Sequence, residues 1–236
     1  MKKVSDVILS KSAMNRILCA ASLGVLTLAA GGTMARADLM PAPFAPQSAL
    51  IHVAGQKANP AKQGAEKFIA SLGQRGIDFL GNEQQTPAQK AESFRRLLED
   101  SFDIDAIGKF ALGVYWRQAT PEQRSEYLQL FKRSVVEMYS QRFSEYNGQK
   151  LVVTGSRPAG NEANDIVVLS KVISNKGAED IPVEWVVQSK GGKYKVLDVF
   201  ILGTSQSMNQ RNQFKQIIQQ GGGNVQVLID NLKSRT

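Results

Sequence analysis

The stretch Ile181-Pro182-Val183-Glu184-Trp185-Val186-Val187-Gln188-Ser189-Lys190-Gly191-Gly192-Lys193-Tyr194-Lys195-Val196-Leu197-Asp198-Val199-Phe200-Ile201-Leu202 decides the fold. It holds two runs rich in Val and Ile, Ile181 to Ser189 and Lys193 to Leu202, separated by Lys190-Gly191-Gly192, which is a turn signal. Upstream, Leu151 to Ser156 and Asp165 to Ser174 read the same way, with Gly160-Asn161 and Asn175-Lys176-Gly177 as the intervening turns. Short turns between consecutive strands predict an antiparallel meander of about four strands. Ile181, Val183, Trp185 and Val187 share one face and Val186 lies on the other. Strict alternation in the last strand sets Val196 and Phe200 against Leu197, Val199 and Ile201. Both faces therefore carry apolar side chains. One can pack on helices, and the second must be covered by more protein, a partner or a ligand.

Outside this block the period is helical. Phe68, Ile69, Leu72, Ile77 and Leu80 predict a helix from Ala61 to about Leu80, ended by Gly81-Asn82. Thr86-Pro87 starts a second helix with Ala91, Phe94, Leu97 and Leu98 on its apolar side, and Asp103 can cap a short third one. Thr120, followed by Pro121 and Glu122, has the character of a helix N-cap, a first-turn proline and an acid at the positive end of the dipole. The helix it opens is expected to run to about Tyr146, with Leu128, Phe131, Val135, Tyr139 and Phe143 on a broad apolar face and Arg142 among the charges of a solvated side. After the strands, Gly203-Thr204-Ser205 turns into a helix through Met208, Phe214, Ile217 and Ile218. Gly221-Gly222-Gly223 stops it, and Val225 to Leu232 forms a last short helix. Helices, then a meander, then helices make an α+β fold.

The N-terminus has a different character. Lys2, Lys3, Lys11 and Arg16 precede an apolar run from Ile17 to Ala30, and Ala35-Arg36-Ala37 is a small-x-small cleavage pattern, so residues 1–37 are expected to be a removable export signal. Residues 38–60, with Pro41, Pro43, Pro46 and Pro60, are expected to form a flexible Ala/Pro-rich arm, and residues 61–236 a single domain. No later stretch approaches the roughly 20 apolar residues of a spanning helix, so the processed chain is expected to be soluble. Removal of the signal takes five basic residues and one acidic one from the chain, leaving 24 basic against 20 acidic, a net +4. So mild a balance permits docking to anionic surfaces but does not argue for nucleic acid.

Much chemistry is missing. Cys19 is the only cysteine and falls in the signal, which excludes disulfides, thiolate metal sites and a cysteine nucleophile from the mature chain. His52, the only histidine, lies in the arm, so the usual general base, the usual zinc ligand and serine-histidine triads are all lacking from the domain. There is no GxxxxGK[ST] loop, and neither a metal nor a cofactor is expected. The remaining enzymatic reading sets Asp198, between Leu197 and Val199, as a general base in an apolar cup, with Tyr115 or Tyr139 as an oxyanion donor. The alternative is a strand aspartate that points outward or pairs with a cation.

The segment Leu112-Gly113-Val114-Tyr115-Trp116-Arg117-Gln118-Ala119-Thr120-Pro121-Glu122-Gln123-Arg124 is followed by Tyr127, Phe131, Tyr139 and Tyr146-Asn147-Gly148. Asp198-Val199 through Gly203-Thr204-Ser205 then lead to Arg211 and Phe214. This series resembles the MlaC family, also called toluene-tolerance auxiliary proteins, over about Phe68 to Leu232. The family often has an acidic residue where Leu202 stands. The resemblance implies no enzyme but a monomeric periplasmic phospholipid carrier, working between an outer-membrane lipoprotein complex and an inner-membrane ABC transporter to maintain outer-membrane lipid asymmetry. A hopanoid-associated branch of the family implies hopanoid-type lipid as an alternative cargo, or a scaffold role in that machinery.

The resemblance also implies an apolar cavity between a curved antiparallel sheet and the surrounding helices. Leu112, Tyr115, Trp116, Phe131, Val135, Met138, Tyr139, Trp185, Val187, Val199 and Ile201 are the expected lipid-binding lining. Arg117 or Arg211 is expected near the entrance, facing a phosphate or an acidic partner.

Overall fold

The computed structural model describes residues 60–160, 165–174 and 177–235. The expected export signal and the arm lie outside these residues, except Pro60, which opens the first helix. The helices are α1 (Pro60–Leu80), α2 (Pro87–Ser101), α3 (Ile104–Leu112), α4 (Tyr115–Gln118), α5 (Pro121–Ser140), α6 (Gln206–Gln220) and α7 (Val225–Lys233). The strands are β1 (Lys150–Pro158), β2 (Asp165–Ile173), β3 (Ile181–Lys190), β4 (Lys193–Ile201) and the two-residue β5 (Thr204–Ser205). They form an open antiparallel meander in the order β1-β2-β3-β4-β5, one short strand more than the pattern predicts.

The helix starts are written locally. Thr86 and Thr120 each close a capping box, in which the side chain accepts from the backbone N–H three residues on while Gln89 or Gln123 reaches back to the cap N–H. Asp103 accepts from the Ala106 N–H at 3.0 Å and Asn224 from the Gln226 N–H at 2.9 Å.

Two features depart from simple periodicity. The pairing of β3 with β4 shifts between Val186 and Val187, so that Leu197 is an extra residue in β4. Val183 pairs with Ile201, Trp185 with Val199 and Val187 with Val196, which puts Val196, Val199 and Ile201 on the same face. Strict alternation separates Val196 from the other two, and the bulge restores them to one side. A second shift, between Val153 and Gly155 in β1, bends the opposite end of the sheet.

The other departure is in α5, which stops at Ser140 instead of continuing to Tyr146. The Ser140 hydroxyl bonds back to the Val136 carbonyl, a local competitor of the helical ladder. A turn at Gln141 and Arg142 leads into a single 3-10 turn, Phe143–Glu145. The break lets the Phe143 ring pack edge-on against Phe79 and Phe94, with centroids 5.7 and 5.4 Å away.

Apolar burial is divided between two large cores and a small third cluster, Ile181, Val183 and Ile201, on the sheet. A helical core gathers Tyr127, Leu130 and Phe131 of α5 with Phe214, Ile218, Leu228 and Ile229 of α6 and α7. A sheet core sets Ala65, Ile69 and Leu72 of α1 on Val168, Val187 and Val196. Phe94 and Phe102 touch both. The α2–α3 junction is fastened to β4 by the Asp103 N–H, which donates to the Val196 carbonyl at 3.0 Å. Lys195 Nζ donates to the carbonyls of Glu99 and Asp100 at 2.8 Å, closing the end of α2. The two cores are therefore clamped together along one line and stand apart on either side of Phe94.

Candidate functional site

Two apolar hollows occupy the gap between the cores, with volumes of about 190 and 260 Å³. Together they reach the lower part of the roughly 300–1,000 Å³ range of small-molecule sites. The first lies between Phe94 and Leu98 of α2, Ile104 and Ile107 of α3, the α5 face and the end of β4, and Gln206, Gln210 and Gln213 of α6 supply its polar rim. The second lies between Gly73, Gly76, Ile77 and Leu80 of α1, the 3-10 turn and the ends of β1, β2 and β3. Phe94, Tyr139 and Arg142 border both.

Of the expected lining, Phe131, Val135, Met138, Tyr139, Val199 and Ile201 border the first hollow, and Tyr139 also borders the second. The other five stand elsewhere. Leu112 is buried in the helical core, on which Tyr115 and Trp116 also pack. Trp116 is flanked by Arg124 and Lys109, 5.4 and 5.7 Å from its ring centroid. Trp185 packs on the sheet core, its indole N–H donating to Ser170 Oγ at 2.8 Å, and Val187 is fully buried there.

Arg117 and Arg211 border neither hollow. Arg211 lies over the Phe110 ring at 5.1 Å, beside Gly113, where a side chain would meet the guanidinium. The cation that borders both hollows is Arg142, which the sequence reading places among the charges of a solvated helix side. Arg142 follows Val135 by seven residues, Met138 by four and Tyr139 by three, the spacing of one helix face, and all four border the first hollow. Gly73 and Gly76 of α1 also escaped the expected set. A Cβ on Gly73 would meet the Leu151 side chain at 2.7 Å, so its missing side chain lets α1 pack on β1, while nothing lies within 4 Å of where a Cβ on Gly76 would be.

Burial pushes the Tyr139 phenol above its ordinary range, and the Arg142 charge offsets part of that rise. A guanidinium therefore acts on the wall between the hollows. Asp198 also borders the first hollow, but its oxygens are engaged. Oδ1 accepts from the Val199 and Ser207 N–H groups at 2.8 and 3.0 Å, and Oδ2 from the Ser205 hydroxyl at 2.6 Å. This is the geometry of a carboxylate fastening the start of α6. Tyr115, one of the two oxyanion donors considered with it, is not at that hollow. Among the described residues no group of three or more His, Cys, Asp or Glu is placed to hold a metal ion, and no helix is long and apolar enough to cross a membrane.

With this geometry in place, comparison with known proteins adds the following. The family model described as MlaC protein matches residues 72–234. Toluene tolerance protein ttg2D of Pseudomonas putida is 31% identical over 185 residues, covering 77% of this chain and 82% of that protein. The intermembrane phospholipid transport system binding protein MlaC of Haemophilus influenzae is 26% identical over 105 residues, covering 44% of this chain and 49% of its own length. Among solved structures, a phospholipid-binding protein of Ralstonia solanacearum in complex with a phospholipid superposes with a TM-score of 0.58 at 25% identity, over 74% of this chain and 96% of that one.

Proposed function

Since the chain belongs to the MlaC family, we propose that it is a periplasmic phospholipid carrier whose two hollows shelter acyl chains. The observation that carries this reading is the unfilled apolar space between the two cores, in a fold shared with a protein solved with phospholipid bound. Each methylene withdrawn from water is worth about 0.8 kcal/mol, so an acyl chain of ~15 methylenes gains on the order of 12 kcal/mol from such a shelter. Release into water is correspondingly slow. Unloading then requires a partner that offers another apolar path, and the carrier works by docking in turn with an outer-membrane lipoprotein complex and an inner-membrane ABC transporter. In this reading residues 1–37 direct export and are removed, residues 38–60 are the Ala/Pro-rich arm, and residues 61–236 are the lipid-binding domain.

Asp198 is not a base in this scheme, since its hydrogen bonds are spent on the start of α6. The test is solvent extraction of the chain purified from bacteria, followed by identification of the lipid. Phospholipid at about one molecule per chain supports the reading, a hopanoid would redirect it to that cargo, and an extract with no lipid would remove it.

A further inference from the structure

The two hollows meet along one wall. Phe94 from α2 and Tyr139 from the end of α5 stand in it with ring centroids 5.9 Å apart, and Phe143 extends it against Phe94 at 5.4 Å. Both hollows border Phe94 and Tyr139, so an acyl chain in one is separated from a chain in the other by aromatic rings. Beyond the wall the hollows lead to different ends of the fold, one to β4 and the start of α6, the other to α1 and β1.

A single charge stands at this meeting point. Among the described residues bordering the first hollow the charged ones are Arg142 and Asp198, and in the second they are Arg142 and Lys150. Only Arg142 is common to both. It sits half-buried in the turn after α5, its N–H donating to the Tyr139 carbonyl at 3.1 Å and its own carbonyl accepting from the Glu145 N–H at 3.0 Å as the cap of the 3-10 turn. A planar guanidinium in partly dry surroundings is well matched to a phosphodiester, which it can hold through two parallel hydrogen bonds.

We propose, building on the carrier reading above, that each hollow takes one chain of a two-chain phospholipid. The chains part over the Phe94–Tyr139 wall, and Arg142 holds the phosphate at the fork. The arrangement recognises the branch point of the lipid and its phosphate. It leaves the rest of the headgroup outside the site, so the phosphate itself becomes the feature that separates cargo from neutral two-chain lipids.

The experiment uses the delipidated full-length mature chain and mixed vesicles of phosphatidylglycerol and diacylglycerol, with bound lipid counted by mass spectrometry. The unmodified chain should prefer phosphatidylglycerol by about tenfold or more, the scale expected of a hydrogen-bonded charge. Arg142→Gln should bring that ratio close to one while diacylglycerol uptake is unchanged, and Arg142→Lys should keep most of it. A ratio unaltered in Arg142→Gln, or near one in the unmodified chain, would overturn the assignment of Arg142. Uptake of neither lipid by the unmodified chain would instead remove the carrier reading itself.

The fork is tested separately with Arg142 intact. Gly76→Leu projects a side chain into the open space of the second hollow. It should lower phosphatidylglycerol uptake about tenfold while single-chain lysophosphatidylglycerol is still taken up through the first hollow. Equal loss of the two, or loss of neither, would overturn the division of the chains.

Discussion

The Ser205 hydroxyl donates to Asp198 Oδ2 at 2.6 Å, tying β4 to the first turn of α6 beside the first hollow. Ser205 is itself the N-cap of that helix and accepts from the Met208 N–H at 3.0 Å, so the carboxylate, the hydroxyl and the helix end form one connected unit. Removing the carboxylate leaves the Ser207 N–H and the Ser205 hydroxyl without their acceptor. Asp198→Ala should cost about 1–3 kcal/mol, a drop of roughly 2–12 °C in Tm for a domain of this size. Lipid content should be retained, and denaturant unfolding with lipid extraction measures both. Loss of lipid with unchanged stability would give Asp198 a direct role in the site.

Val135 borders the first hollow from the middle of α5. Val135→Trp should occupy part of it and reduce copurified lipid severalfold while the far-ultraviolet circular dichroism is preserved. Unchanged loading would show that this helix face does not contact cargo.

Gly108 is a packing glycine in the helical core. A Cβ there would meet Leu128 and Phe131 side-chain atoms at 2.9 Å, and the Gly108 carbonyl accepts the Tyr127 hydroxyl at 2.8 Å. Gly108→Ala should therefore destabilise the fold by about 1–3 kcal/mol despite the better helix propensity of alanine. A thermal melt equal to that of the unmodified chain would contradict this packing.

Part of the acid sensitivity should arise in α2. Hydrogen bonds from Arg95 and Arg96 lower Glu92 from an ordinary 4.5 to about 2, and Lys132 with Arg95 lowers Glu99 in the same direction. A carboxyl held down in the folded state contributes stability above its unfolded value and loses it as pH falls towards the folded one. Stability should decline between pH 4.5 and about 2, and Glu92→Gln should flatten that decline. Both side chains are partly exposed, so the effect should shrink in high salt. An unchanged slope in Glu92→Gln would assign the acid sensitivity to other carboxylates.

Most of the architecture was legible in the sequence because it is specified locally. Thr86 and Thr120 mark helix starts through bonds that span three residues, and Ile181 to Val187 alternate because β3 has no irregularity along them. What escaped depends on partners distant in sequence or on a missing atom. The bulge at Leu197 exists only in the pairing of β4 with β3, so no count along β4 could place Val196 beside Val199. The end of α5 at Ser140 depends on where the Phe143 ring finds Phe79 and Phe94. Arg142 was legible, since it stands at i+7 from Val135 and i+4 from Met138, on the apolar side of the repeat, and its charge alone sent it to the solvated side. Gly73 and Gly76 did leave a signal, two glycines three residues apart inside an amphipathic helix, a pattern that often marks a packing or functional need.

Native mass spectrometry of the chain isolated from bacteria without detergent tests most directly whether the space between the cores holds lipid. The spectrum should show the polypeptide carrying the added mass of one two-chain phospholipid, lost on collisional activation. A spectrum of the bare polypeptide alone, from protein whose melting curve shows it folded, would contradict the proposal that these hollows are built for acyl chains.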